Sequence, residues 1–257
     1  GQLWVIPSKT CEGGEHRILC GDSTNRTDVA RLMCGHRASI IQTDPPYGVS
    51  YVESRVGMPG YDPDRWDNIE NDELKGEQLL RFLESFLLVA EPHLVDAPAI
   101  YLWYAEVASS LEFGAALRAF GCVVHKQIIW AKQRFVLSRG GMYHWQHEPC
   151  AFAWRKGHMP PWYGDRAQTT LWMHGRDDDS GMHPTQKPKA LFIRPLMNHT
   201  REGEIAYEPF SGSGSQTLAA EQVGRLCWSM EKDPAYVAVL LERARAHGLE
   251  PRLQEAG

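Results

Sequence analysis

Apolar positions along the chain follow two alternating patterns, short continuous runs and stripes at helical spacing. The runs are Ala38 to Gln42, Ala99 to Tyr104, Val123 to Trp130, Ile205 to Tyr207 and Leu226 to Met230. Runs this short, with apolar neighbours side by side, read as strands buried on both faces. Between them, Leu79, Leu83, Phe86, Leu87 and Ala90 form one helical stripe, and Val107, Leu111, Gly114 and Leu117 a second that ends near Gly121. Further helices are predicted from just after Pro184 to about His199, over Thr217 to Val223, and through Val237, Leu240, Leu241 and Ala244. Strands alternating with helices predict an α/β fold, a doubly wound and mostly parallel sheet with helices on both faces. Both termini read as frayed. Residues 49–76 and 155–182 break the alternation. The first carries Gly57, Pro59, Gly60, Pro63 and several acidic side chains, and its length predicts a mobile loop on the catalytic side that orders with substrate.

Chemistry concentrates where two of the runs end. Directly after the Ala38 run comes Thr43-Asp44-Pro45-Pro46-Tyr47-Gly48. Pro45 and Pro46 fix their own φ and lack an N–H, so nearby carbonyls stay available as acceptors. The Asp44 carboxylate and the Pro45 carbonyl could hold the two hydrogens of a planar amine while Tyr47 stacks on the ring that bears it. A strand-ending turn has the same composition, and alone the stretch supports both readings.

A second motif follows the Ile205 run, Glu208-Pro209-Phe210-Ser211-Gly212-Ser213-Gly214-Ser215. Gly212 and Gly214 permit positive φ and close approach of backbone to a ligand, and the helix behind them offers unpaired N–H groups. Thr217 departs from the dinucleotide fingerprint, which favours another adenosine-containing cofactor over a nicotinamide. Glu231 ends the next strand about twenty residues beyond the glycines, where a doubly wound fold binds ribose hydroxyls.

These motifs resemble those of the amino-group DNA methyltransferases, the N6-adenine and N4-cytosine enzymes. The resemblance covers nearly the whole chain. Its catalytic motif stands as Asp44, Pro45, Pro46 and Tyr47; its F-x-G-x-G cofactor motif as Phe210, Ser211, Gly212, Ser213 and Gly214; and its HPTQKP element as His183 to Pro188. Catalytic motif first and cofactor motif last is the circularly permuted order of the β group. The resemblance implies a single methyltransferase domain over 1–257, with S-adenosylmethionine as cofactor and duplex DNA as partner. Asp44 at the first catalytic position is typical of adenine enzymes, so the expected reaction is methyl transfer to N6 of a flipped-out adenine. The cofactor set it implies is Asp22, Asp44, His183, Thr185, Lys187, Glu208, Phe210, Ser211, Gly212, Ser213, Gly214 and Glu231. Asp22 matches a family Gly-Asp pair that meets the cofactor's adenine, and Lys187 could neutralise a phosphate or fix the methionine carboxylate. Glu148 to Trp154 would be the antiparallel strand at the sheet edge. Residues 155–182 occupy the family's target-recognition position, so Arg155, Lys156, Trp162, Tyr163 and Arg166, with His147 and Tyr47, are the expected substrate contacts. An N4-cytosine enzyme, an RNA or protein-amide methyltransferase and a catalytically silent DNA-binding partner remain the alternatives.

Composition constrains the rest. The chain has 257 residues with 43% hydrophobic content, enough for one α/β domain with a full core. Its net charge of −5 does not advertise a nucleic-acid binder, although cations cluster at 125–139, 155–166 and 183–201. Cysteines at 11, 20, 34, 122, 150 and 227 show no metal spacing and read as reduced thiols of a cytoplasmic protein, and no metal is expected at Asp177 to Asp179 either. The longest apolar stretch, Leu79 to Val95, is broken by Arg81, Glu84, Glu91 and Pro92, which predicts a core helix and no membrane partner. A homodimer, a cognate restriction enzyme and a domain upstream of Gly1 stay open.

Overall fold

A computed structural model describes residues 1–49, 71–105, 109–136, 142–175 and 187–254. Most of the 49–76 loop, together with His183, Pro184, Thr185, Gln186 and the Asp177 to Asp179 run, lies outside the described residues.

The predicted runs become strands of a ten-stranded sheet, four of them at its centre and the Val123 run next to one edge. They are β3 (Ala38–Thr43), β4 (Leu94–Trp103), β5 (Cys122–Val136), β8 (Ile205–Glu208) and β9 (Leu226–Glu231), joined by β1 (Leu3–Pro7), β2 (Glu15–Cys20), β6 (Trp145–Arg155), β7 (Leu171–Met173) and β10 (Arg252–Gln254). Their order across the sheet is β10-β1-β2-β9-β8-β3-β4-β6-β5-β7. The middle, from β2 to β4, is parallel throughout. Helices α1 (Arg26–Met33), α2 (Glu77–Ala90) and α3 (Ser110–Ala119) cover one face, and α4 (Lys189–His199), α5 (Ser215–Gln222) and α6 (Pro234–Ala246) the other.

Two buried faces explain why the central strands lack a polar alternation. In β4, Ile100 and Leu102 pack under α2 and α3, while Ala99, Tyr101 and Trp103 pack against the opposite layer. The α2 stripe seats Leu79, Leu83, Phe86, Leu87 and Ala90 in the core, as their spacing predicts. The strand at Ala99 begins earlier than its apolar run, at Leu94, because a register irregularity between Ala38 and Ile40 absorbs the residues around Pro98.

Three features differ from expectation. The Glu148 strand pairs with both β4 and β5, so it lies inside the sheet, and the edge is β7, taken from the middle of the 155–182 segment. Strands β5 and β6 pair as a long antiparallel ribbon. The described ends of the chain form strands, since β1 pairs with β2 on one side and β10 on the other. No described helix is long and apolar enough to cross a membrane.

Candidate active site

The turn after β3 and the turn after β8 emerge side by side because these strands are neighbours in the sheet. At their base the Thr43 hydroxyl donates to the Glu208 carboxyl, which also accepts the Phe210 N–H at 3.0 Å. Burial holds the Glu208 carboxyl well above the usual carboxylate range, although Thr43 and the Phe210 N–H pull the other way. Glu208 therefore links the two turns from beneath instead of facing the crevice.

The catalytic turn closes at Gly48, whose φ is 70° and where an added Cβ would lie 2.1 Å from the Leu74 carbonyl oxygen. Above it runs an alternating chain of charges. Lys187, just ahead of α4, places its ammonium on Asp44 Oδ2, 3.0 Å from the Tyr47 hydroxyl and 3.1 Å from Glu148 Oε2. Tyr47 donates its hydroxyl to Asp44 Oδ1. Glu148 is flanked on its other side by Lys132 at 2.5 Å. The Lys187 side chain is only 4% exposed and lies 5.3 Å and 5.4 Å from the Trp103 and Tyr47 ring centres. Burial alone would discharge this ammonium, but Asp44 and Glu148 outweigh it and raise its pKa. Burial likewise opposes the charge on Glu148, and Lys187 and Lys132 outweigh it, lowering that pKa. Asp44 is thus an acceptor whose lone pairs already receive N–H and O–H donors.

The glycine turn is built from backbone. Ser211 N–H donates to the Met230 carbonyl at 2.8 Å, and Gly214 N–H to the Ser211 carbonyl at 2.9 Å. Gly214, with φ 80°, precedes α5 without a side-chain cap. Glu231 accepts the N–H groups of Gly212 at 2.8 Å and Asp233 at 2.9 Å, while burial raises its pKa against their influence. Asp22 ends the neighbouring β2, accepts from the Thr24 N–H and hydroxyl at 2.8 and 2.6 Å, and lies 3.5 Å from Lys232. Burial pushes the Asp22 carboxyl up, but these partners prevail and its pKa is lowered. Phe210 turns its ring toward Phe82 and Phe86, with centroids at 5.5 and 5.0 Å. Ser213 also points away from the crevice, gripped by Arg243 of α6 at its carbonyl (2.6 Å) and hydroxyl (3.1 Å).

The expected cofactor residues that are described therefore gather along one sheet edge. Within that group Lys187 takes a different seat from the one expected, on Asp44. The expected substrate contacts divide. Tyr47 is at the site, and His147 neighbours Glu148 on β6. Arg155 is seven residues from Glu148 along an extended strand, about 24 Å away. There it stacks on Phe120 and pairs with Glu91 at 2.9 Å. Lys156 follows it, and its N–H donates to the Gly121 carbonyl. Trp162 and Tyr163 lie against the far end of α4, Trp162 edge-on to His199 and Tyr163 hydrogen-bonded through its N–H to Asn198. Arg166 belongs to the same excursion, so the structure does not bring Arg155, Lys156, Trp162, Tyr163 or Arg166 to the catalytic turn. The reason is topological: the chain crosses beneath the sheet after β6 before returning as β7. Lys132, Trp103 and Arg243 were not singled out by sequence. Arg243 had one signal, a charge inside the Val237, Leu240, Leu241 and Ala244 stripe.

An open doubly wound sheet with a carboxylate turn and a glycine turn at adjacent strand ends is the fold of DNA methyltransferases of known structure. The M1.HpyAVI complex with SAM superposes with a TM-score of 0.64 at 18% identity, covering 88% of this chain and 97% of that one. The cytosine-N4-specific PvuII DNA methyltransferase gives 0.64 at 16% identity, covering 89% and 86%. The Type II methyltransferase M2.LlaDCHI of Lactococcus lactis subsp. cremoris is 23% identical over 224 residues, 79% of this chain and 81% of that one. The chain belongs to the N6/N4 DNA methylase family, whose sequence profile matches residues 38–242.

Proposed function

We propose that the protein transfers a methyl group from S-adenosylmethionine to N6 of an adenine extruded from duplex DNA. The observation that carries this reading is the coupling of the two turns through Thr43 and Glu208, which sets the Asp44 carboxylate beside the glycine turn on one crevice. The residues present fit the cofactor. The open glycine turn, the Glu231 and Asp22 carboxylates, and the buried Ser211 hydroxyl, which has no hydrogen-bond partner among the described residues, form a polar cradle at the strand ends. When bound, S-adenosylmethionine supplies an electrophilic methyl group.

The work of the protein's own residues is to hold the amine. Adenine N6 is conjugated with its ring and a poor nucleophile. Acceptance of its two hydrogens by Asp44 and the Pro45 carbonyl favours a pyramidal nitrogen and stabilises the positive charge that develops on it. Lys187 now fills the Asp44 acceptor, so it must give way, and Glu148 at 3.1 Å provides the second seat. Moving the ammonium from Asp44 toward Glu148 also removes a fixed positive charge from beside a nitrogen that is becoming positive. Extrusion costs a few kcal/mol, which stacking on Tyr47 offsets by about 1–3 kcal/mol. Asp44 is also the natural acceptor for the proton the methylated amine releases.

Labelled methyl transfer from S-adenosylmethionine to mixed-sequence duplex DNA, followed by nucleoside analysis, tests the proposal. N6-methyladenine is expected. N4-methylcytosine would move the reaction to the other base, and absence of label with cofactor bound would overturn it.

A further inference from the structure

With the 155–166 excursion on the far side of the sheet, the site needs another surface to receive a duplex. Strands β5 and β6 continue past the catalytic edge as a two-stranded ribbon that, beyond Ala131, pairs with no further strand among the described residues. Pairing runs from Trp130 opposite Glu148 to Val136 opposite Trp145, which carries the ribbon about 10 Å beyond Glu148 along β6. Its side chains are unlike those of a solvated hairpin. Phe135 is 55% exposed, Met142 90%, Tyr143 91% and Trp145 43%, and Phe135 stacks on His144 at 5.0 Å. A groove of about 760 Å³, lined in part by Ala131, Gln133, His147 and Met173, follows its root.

Charge gives the occupant. Residues 113–147 contain no Asp or Glu, although the whole chain carries 32 acids against 27 Lys and Arg. Lys132 and Arg134 lie along this part of β5, and Lys126 lies farther back, opposite Phe152; Lys132 is committed to Glu148, and Arg134 is exposed farther out. A cationic, aromatic, two-stranded ribbon matches the width of the B-DNA major groove, and its root is continuous with the catalytic network. We propose that the β5–β6 ribbon is the DNA-docking element, entering the major groove beside the extruded base. Arg134 engages phosphate, and Tyr143 and Trp145 pack on the bases that flank the vacated position. This rests on the function proposed above.

The test is binding of the full-length protein to a fluorescent 30-base-pair duplex, by anisotropy across a salt series, with cofactor binding as the check on folding. Arg134→Ala should weaken binding about fivefold and reduce the salt slope by about 1. The Tyr143→Ala/Trp145→Ala pair should weaken it about tenfold with the slope retained. Lys156→Ala and Arg166→Ala should stay within about twofold of wild type. Wild-type binding by the ribbon variants, with loss in Lys156→Ala or Arg166→Ala, would overturn the ribbon assignment alone. A wild-type protein that neither binds nor methylates duplex DNA would instead overturn the function on which the assignment rests.

Discussion

The two turns that meet at the crevice hold their carboxylates by different means. At the glycine turn, Glu231 is fixed by the backbone N–H groups of Gly212 and Asp233. At the catalytic turn, among the described residues, Asp44 is held by side chains, the Lys187 ammonium and the Tyr47 hydroxyl. Backbone donors cannot leave without unfolding the turn, whereas side-chain donors can rotate away. The glycine turn is therefore a preformed receptor, and the catalytic turn is a receptor that must exchange one set of partners for another. Glu208 joins the rigid half to the exchangeable half.

Substitutions on either side should separate the two. The largest effect is expected from Asp44→Ala, which removes the acceptor and should lower kcat about 10³-fold. Cofactor affinity, read by calorimetry, should stay within about twofold, because Glu231 and the glycine turn are untouched; a parallel loss of cofactor binding would erase the distinction between the halves. Gly214→Ala attacks the preformed half. A Cβ there would sit 2.4 Å from Leu240 Cγ on a residue at φ 80°. Urea unfolding should show a loss of about 2 kcal/mol, together with weakened cofactor binding.

Smaller effects should sharpen the picture of exchange. Glu148→Gln takes away the second seat of Lys187, so kcat/KM for DNA should fall about tenfold. Adding Lys187→Met should produce less than the sum of the two single losses, since the ammonium that Glu148 must receive is then absent. Strict additivity would argue that the two residues act independently. The mildest prediction concerns pH. Glu208 has its folded pKa raised above the ordinary value of 4.5, so the native state keeps a proton that the unfolded chain releases. Stability is then unaffected by this group below the ordinary value and declines as pH rises from there toward the folded pKa. Glu208→Gln should flatten that decline by up to about 1.4 kcal/mol per pH unit, measured as thermal unfolding across a pH series.

What the sequence revealed was whatever is encoded locally. Apolar runs mark β3, β4, β8 and β9 because both faces of those strands are buried, and the α2 stripe marks its helix because one face is. Asp44 to Tyr47 and Phe210 to Gly214 are contiguous, so their chemistry can be read without a fold. The Lys187 contacts with Asp44 and Glu148 join residues far apart in the chain, and no local pattern announces them. Strand β7 is three residues inside a polar segment, and β10 exposes Arg252, Leu253 and Gln254 alike, so neither shows an alternation. Position in the chain also differs from position in the fold. Residues 155–166 fall between the catalytic and cofactor halves in sequence, yet β6 carries them to the opposite edge of the sheet, while the ribbon before them projects from the edge that matters.

The buried pairing of Lys187 with two carboxylates also bears on self-harm. An enzyme that carries a reactive methyl donor beside an unfilled acceptor risks alkylating any stray amine, including its own lysine. A protonated ammonium has no lone pair, and Asp44 and Glu148 raise the pKa of this one. On the proposed function, this lysine is kept chemically inert by Glu148 and by Asp44, the carboxylate that the substrate will later use.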